Sequence, residues 1–498
     1  MDMKKYIIVA ILAVLTLNSC KDFLVQEPIM SQSTELTLSD YNGLNKAIAG
    51  AYGPIADGSW YGAFYVLNSE MRVGNAMIPT VSDFTSGRMT VPYNMNYDAS
   101  STEGLWSLAY YVISAANNVL DKLVGNEESF VSSSVSIEDI DNLEAEAMAI
   151  RALAHFDCLR LYARTDGKTN QELGIPLILT PQLPTDMPAR NTVAECFDQI
   201  IADLTKAEEL MADDYVRDGI ADEHAVITKP VIWALLSRVN LYAQKYQAAA
   251  DYATKVIDCG LYNLWTAEEY TSVWGEDVAE DGGEVIFEIY GKQANDYDEY
   301  WEGPSHMTNP LGYADCAASA DLVGLFEEGD VRGTCGVRGT DDGKAMFCTD
   351  KDQVSGGQMW TMKYFGKGEG NATSTPDVSN VIVLRLSEMY LIRAEAIANG
   401  ASVAGTSAVK DVNAIRANRG ASTLGAAGVD TIIKERRLEL NFEGSYWFDL
   451  ARTGGSFTYK DAAITKEVPS DSKYWALPIP KSQIDLDKEL VQNPGYDN

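Results

Sequence analysis

The stretch from residue 228 to residue 260 constrains the fold most, because its pattern predicts two helices joined by a very short turn. Apolar side chains recur at helical spacing on both sides of a break at Lys245 and Tyr246. Two helices connected so tightly must pack antiparallel. One helix pair cannot bury its own apolar face, so other helices of the chain must cover it. The apolar positions are Ile232, Leu235, Leu236, Val239 and Tyr242, then Ala249, Ala253, Val256 and Ile257.

The ends of this helix pair are also marked in the sequence. Thr228 is expected to cap the first helix, and Gly260 is expected to end the second. The first helix resembles the start of a tetratricopeptide repeat through Trp233-x2-Leu236, although Asn240 stands where that pattern has tyrosine. We therefore expect a stacked helical scaffold.

Helical periodicity recurs along much of the chain but is interrupted twice. Residues 60–101 and 263–380 lose it and are rich in aromatic, Gly, Asn and Asp residues. Residues 284–290 and 381–386 are predicted strands. Irregular segments of this length are usually functional, so we expect a helical frame that carries function on its loops. Further helices are predicted over 40–52, 105–124, 137–163, 192–211, 387–398, 406–419 and 431–450.

The charge of the chain limits its partners. A formal net charge of -33 at pH 7, with a sequence pI near 4.4, repels nucleic acid and anionic lipid headgroups. Nucleic-acid binding is therefore not expected.

The first twenty residues predict an export signal. Lys4 and Lys5 precede an apolar run over 6–17 that is too short to span a bilayer. Residues 17–20, Leu-Asn-Ser-Cys, resemble a bacterial lipobox, which makes Cys20 the expected site of lipidation. The alternative is an ordinary signal peptide with an incidental cysteine. We predict a signal peptide over 1–19 and a lipidated tether over 20–39.

Several motifs occur in order along the chain. Trp106-x3-Tyr110 with Asn117 is one of them. The longer motifs are IRALAHFDCLRLYA (150–163), LRLSEMYLIRAEA (384–396), VNAIRANRG (412–420), IIKERRLELNFEGSYWFDLARTG (432–454) and WALPIPKSQIDLDKELVQNPGY (475–496). Together these motifs resemble the SusD/RagB family of surface nutrient-binding lipoproteins, and the similarity covers nearly the whole chain.

The resemblance implies a mostly α fold, a tetratricopeptide-like α-α superhelix of about four helix pairs with a large irregular insertion containing short β-strands. It implies one domain over 40–498, with the scaffold at 40–262 and 381–453. The ligand-binding insertion is then 263–380, and 454–498 is an extended C-terminal cap. A SusC-like TonB-dependent outer-membrane transporter is the implied partner.

The residues that could support catalysis do not form a recognisable constellation. His155, His224 and His306 have no metal-site spacing. Glu435 and Glu439 share a helix face with arginines, which favours ion pairs over a glycosidase pair. We expect no enzyme activity and no cofactor. Acidic loop residues near 277–284 and 341–352 leave Ca2+ as a less favoured alternative.

Sugar binding needs aromatic rings for the apolar face of a pyranose and polar side chains for its hydroxyls. The two irregular segments supply both. The candidate ligand-binding residues are Arg72, Asn75, Tyr93, Asn96, Tyr97, Asn295, Tyr297, Tyr300, Trp301 and Trp360.

The sequence therefore predicts non-catalytic binding of oligosaccharide or polysaccharide at the cell surface. The bound glycan would be delivered to the outer-membrane transporter. The protein would be held on the outer membrane by lipid at Cys20. Capture of peptides or other nutrients, and a protein-interaction scaffold without glycan binding, are the alternatives.

Overall fold

A computed structural model describes most of the chain. The described residues are 34–80, 87–167, 172–220, 223–275, 283–290, 303–341, 344–350, 357–364, 379–461 and 463–496. Cys20, the signal peptide and most of the tether lie outside these residues.

The described helices are numbered in chain order. They are α1 (Thr34–Thr37), α2 (Tyr41–Ile55), α3 (Phe64–Val73), α4 (Thr90–Asn94), α5 (Glu103–Leu123), α6 (Ile137–Tyr162), α7 (Val193–Leu210), α8 (Lys229–Tyr242), α9 (Tyr246–Asp258), α10 (Ala267–Tyr270), α11 (Pro304–Met307), α12 (Ala320–Val323), α13 (Leu386–Ala398), α14 (Ala408–Ala417), α15 (Val429–Glu439), α16 (Tyr446–Thr453) and α17 (Lys481–Leu486).

The described strands are short. They are β1 (Ala76–Met77), β2 (Val285–Ile289), β3 (Ala317–Ala318), β4 (Cys335–Val337), β5 (Phe347–Thr349), β6 (Trp360–Thr361), β7 (Val381–Arg385), β8 (Phe457–Lys460) and β9 (Thr465–Val468).

Eight of the longer helices pack one against the next in a continuous row. They form the pairs α2 with α5, α6 with α7, α8 with α9, and α13 with α14. Neighbouring pairs touch through α5 and α6, α7 and α8, and α9 and α13. Each helix thus buries its apolar face against the preceding and the following helix, as in a solenoid. The predicted fold class is confirmed.

The helix pair α8–α9 has the predicted form. Eight of the nine predicted apolar side chains are buried, and Ile257 is half-buried. Gly260 has a φ of +77°, the left-handed conformation that ends helices. Thr228 precedes α8, but its side chain makes no capping hydrogen bond. Pro230 lies in the first turn and removes one of the N–H groups that a cap would bind.

A pair of strands closes the base of the insertion. β2 and β7 are antiparallel, with Val285 opposite Arg385 and Ile289 opposite Val381. Both strands were predicted, but their pairing was not. We call this pair the neck, because it holds the two ends of residues 290–380 side by side.

The insertion also pairs with the first irregular segment. β1 and β3 are antiparallel, with Ala76 opposite Ala318 and Met77 opposite Ala317. The remaining sheets are β4–β5–β6 and the hairpin β8–β9. The two segments that interrupt the helices therefore meet in space. The predicted domain bounds stay a prediction.

An ion-pair cluster joins the scaffold to the insertion. Glu439 of α15 is fully buried and pairs with Arg332, Arg385 and Arg419. Burial alone would raise the pKa of Glu439, but the three guanidinium groups hold it well below its usual range. The predicted ion pairs on this helix are confirmed. Glu435 extends the cluster through Arg332 and Arg416.

In the described part of the chain, Cys158, Cys196, Cys259, Cys316 and Cys335 are free thiols. Cys348 is buried in β5. Within the same described ranges, no helix is long and apolar enough to cross a membrane.

Candidate functional site

A cavity lies where the first irregular segment folds against the helices α3, α4 and α5. Its volume is about 300 Å³. Such a volume is at the small end of the range for ligand pockets. The described lining residues are Ser59, Phe64, Tyr65, Asn68, Arg72, Arg88, Val91, Pro92, Tyr97, Ser101, Thr102, Gly104, Leu105, Leu161, Tyr162 and Leu477.

Two left-handed residues shape this part of the chain. Gly74, with a φ of +73°, ends α3 and donates its N–H to the carbonyl oxygen of Glu70. Met95, with a φ of +55°, ends α4. After Met95 the chain turns back toward α3, which brings Tyr97 beside Arg72.

Arg72 and Tyr97 are the two predicted site residues that line the cavity. The Arg72 Nε donates to the Tyr97 hydroxyl at 2.7 Å, and the guanidinium lies 4.7 Å from the centre of the Tyr97 ring. The same guanidinium also lies 5.2 Å from the centre of the Trp447 ring. Both aromatic rings stabilise the cation. Only 2% of Arg72 is exposed.

A buried carboxylate supports the cavity from the side of α6. Asp157 Oδ2 accepts from Trp60 Nε1 at 2.8 Å, and its Oδ1 accepts from the Tyr65 hydroxyl at 3.1 Å. The Arg160 Nη2 donates to the same Oδ1 at 2.6 Å. Burial raises the pKa of Tyr65 well above its usual range. These contacts fix the Tyr65 ring, which lines the cavity.

The first irregular segment contacts the insertion beside the cavity. The Arg88 guanidinium lies 4.0 Å from the centre of the Tyr313 ring, and its Nη1 lies 3.1 Å from Asp315 Oδ2. A second contact joins the two segments, in which the Thr80 backbone N–H donates to Gln358 Oε1 at 3.3 Å. We call the Arg88–Tyr313–Asp315 contact the junction.

Three predicted site residues lie in the interior. Asn75 donates to Glu70 and accepts from Arg437 Nε at 2.8 Å. Tyr93 donates its hydroxyl to Asp461. Trp360 is fully buried in β6 and packs in a small apolar cluster. The structure gives these side chains internal surroundings, so ligand contact by them stays a prediction that burial does not favour.

The other predicted residues are placed differently. Asn96 is exposed, and its backbone N–H bonds to the carbonyl oxygen of Val91. Asn295, Tyr297, Tyr300 and Trp301 lie outside the described residues. Their role stays a prediction.

Arg88 and Asn68 are among the polar lining residues that were not predicted. Arg88 stands close to the predicted candidates in sequence, and arginine often stacks on aromatic rings. Asn68 lies within α3, a helix inside the segment 60–101 for which the sequence predicted irregular structure.

One carboxylate considered for metal binding is held by ion pairs in the interior. Glu284, one of the acidic residues considered for Ca2+, pairs with Arg385 at 2.8 Å and with Arg419 at 2.5 Å. Among the described residues, no group of three or more His, Cys, Asp or Glu is arranged to hold a metal ion.

A row of helix pairs, interrupted by loops that enclose a ring-lined cavity, defines a tetratricopeptide-like protein with an inserted loop region. Comparison with known proteins places it within one family. The SusD family model matches residues 349–496, and a model described as starch-binding associating with outer membrane matches residues 22–241. This chain is a member of the SusD/RagB family.

Relatives of similar length support this membership. SusD-like protein P2 of Formosa agariphila is 25% identical, with 99% of this chain and 100% of the relative covered. A SusD superfamily protein from Bacteroides vulgatus, known from a crystal structure, is 27% identical in sequence to this chain. The two structures superpose with a TM-score of 0.78, over 92% of this chain and 100% of the Bacteroides vulgatus chain.

A more distant structure shares the fold. It is surface glycan-binding protein A of Bacteroides thetaiotaomicron in complex with laminarihexaose. It is 20% identical, with a TM-score of 0.71, and covers 91% of this chain and 99% of that chain.

Proposed function

We propose that this protein binds oligosaccharides or polysaccharides at the cell surface, without cleaving them, for delivery to a SusC-like TonB-dependent outer-membrane transporter. Lipid on Cys20 holds it on the outer membrane. The meeting of the two irregular segments at the junction, next to the cavity, is the observation that carries this proposal. Aromatic rings and hydrogen-bonding groups lie together there, as sugar recognition requires.

Two further facts support the proposal. The chain belongs to a family with starch-binding and glycan-binding members, and a protein of the same fold was solved with laminarihexaose. The buried glutamates of α15 are held by arginines and do not face each other across an open cleft, as hydrolysis of a glycosidic bond requires.

Isothermal titration of the mature, unlipidated protein against a panel of neutral and acidic oligosaccharides tests the binding. We expect at least one glycan to bind, and Tyr313→Ala to weaken it. Tyr111→Ala is the control, because Tyr111 is 63% exposed on α5 and, unlike Tyr313, is not part of the junction. Binding of peptides with no glycan binding would favour peptide capture. If no glycan or peptide binds, and a protein partner binds the Tyr313→Ala variant as well as the unmodified protein, a protein scaffold would be favoured. New reducing ends after incubation would contradict the non-catalytic assignment.

A further inference from the structure

The Arg72 guanidinium has an unusual environment. Its Nε donates to Tyr97, but neither Nη atom donates to an acceptor among the described residues. Nη1 is fully enclosed. Arg72 is thus a buried cation without a carboxylate partner in the described part of the chain.

Twelve other buried arginines in the described part of the chain are compensated. Arg190 lacks a carboxylate but donates to the carbonyl oxygens of Gly174 and Leu173, at 2.7 Å and 2.8 Å. Those with carboxylate partners are Arg151, Arg160, Arg217, Arg238, Arg332, Arg385, Arg393, Arg416, Arg419, Arg436 and Arg452. Burial of an unpaired charge is costly, so an uncompensated guanidinium at a cavity points to a missing anion.

The surroundings of Arg72 are basic, although the chain as a whole is strongly acidic. The described lining of the cavity contains two arginines, Arg72 and Arg88, and no aspartate or glutamate. Asp315 compensates Arg88, whereas the rings of Tyr97 and Trp447 compensate Arg72 only in part.

We infer that this cavity receives the carboxylate of an acidic sugar residue, such as a hexuronic acid, with Arg72 as the cation that binds it. Guanidinium groups match carboxylates in shape and charge. The small volume suits a single sugar residue, and Tyr65 and Tyr97 offer rings to its apolar face. This inference rests on the proposed glycan binding and specifies the chemical class of the glycan.

The test uses pairs of ligands that differ only in the carboxylate. Aldobiuronic acids of several linkages, and the same disaccharides after reduction of the carboxyl group to an alcohol, are titrated into the mature protein. We expect at least one acid to bind tenfold or more tightly than its reduced form. In Arg72→Met this preference should disappear, while Lys206→Met, an exposed charge on α7, should keep it.

Each outcome decides between the claims. Equal affinity for the acid and its reduced form in the unmodified protein overturns the inference but leaves the proposed function intact. Binding of neither ligand, together with silence across the wider glycan panel, overturns both. If Arg72→Met does not fold, Arg72→Lys replaces it. A lysine keeps the charge but cannot bind a carboxylate at two points, so the preference for the acid should be smaller in this variant. Full retention of the preference in a folded Arg72→Met would also overturn the inference.

Discussion

Arg385 Nη1 lies 2.6 Å from Glu439 Oε1, and both side chains are almost completely buried. Arg385 ends a strand of the neck, and Glu439 ends helix α15 of the scaffold. The Arg385 Nη2 also donates to the backbone carbonyl of Glu439 at 2.8 Å. This contact ties the base of the insertion to the helical frame.

Loss of the Glu439 charge should destabilise the fold. Glu439→Gln removes the carboxylate that Arg332, Arg385 and Arg419 share. Because removal of one partner leaves a buried charge unpaired, the free energy of unfolding should fall by about 3–5 kcal/mol. Urea unfolding measures the change in the free energy of unfolding. Glu209→Gln is the control, because the Glu209 side chain is 62% exposed and should have no measurable effect. Equal stability of the two variants would contradict the structural role of the cluster.

Stability should fall in mild acid because of His155. This side chain is fully buried, and its Nε2 accepts from the backbone N–H of Ile178. Burial, and then the charge of Arg151, lower the pKa of His155 to about 3. An unfolded histidine has its ordinary pKa near 6.5.

Between these two values the unfolded chain binds a proton that the folded chain excludes, so stability is lost as the pH falls through this window. His155→Gln keeps a hydrogen-bond acceptor but cannot titrate. From pH 6.5 to 4.5, its free energy of unfolding should fall less than that of the unmodified protein by about 2 kcal/mol. Identical losses in both proteins would refute this role of His155.

Lys466 should make stability depend on pH in the alkaline range. Burial lowers its pKa to about 7, although Asp461 opposes this shift. Because an unfolded lysine titrates near 10.4, the unfolded chain binds the extra proton between these values. Stability contributed by this residue therefore rises as the pH rises from 7.

Lys466→Met removes this titration and keeps an unbranched apolar side chain. Between pH 7 and pH 9, the unmodified protein should gain about 2 kcal/mol more stability than the variant. Chemical denaturation at both pH values measures the difference. A parallel pH profile in the two proteins would show that Lys466 is charged in the folded state.

Gly74 should not tolerate a side chain. Its φ of +73° disfavours any β-carbon, and a Cβ there would lie 2.1 Å from Cδ2 of Tyr459. We expect Gly74→Ala to cost about 2–4 kcal/mol, from the backbone conformation and from the displaced ring. Gly125→Ala is the matched control, since Gly125 has a φ of +79° but no atom within 4 Å of the added Cβ. It should cost about 1 kcal/mol, so an equal cost would mean that Tyr459 moves freely.

The helical frame could be predicted because its signals are local. Thr192 and Glu195 form a capping box at the start of α7, where the Glu195 backbone N–H donates to Thr192 Oγ1 at 3.2 Å. Periodicity also placed α2, α5, α6, α8, α9, α13 and α14. The single helix predicted over 431–450 was wrong, because the left-handed residues Phe442 and Gly444 divide it into α15 and α16. These signals involve residues three or four positions apart, so the sequence contains them directly.

The candidate site could be predicted only in part. Residue type marks aromatic and polar side chains, but it cannot distinguish the buried Trp360 from the half-exposed Tyr313. The pairing of Ala76 with Ala318 joins positions more than two hundred residues apart, and neither strand is long enough to give a periodic signal. Arg72 was predicted from residue type to bind ligand, and that role stays a prediction. Its position at the cavity and its lack of a carboxylate partner appear only in three dimensions.

The neck has a consequence for how this architecture can diversify. Because β2 and β7 hold the ends of the inserted segment together, the scaffold meets the same two strand ends whatever lies between them. Doubling the length of such a loop adds only about 0.6 kcal/mol of closure entropy. The same helical frame can therefore carry an inserted segment of different length or composition at little cost in free energy.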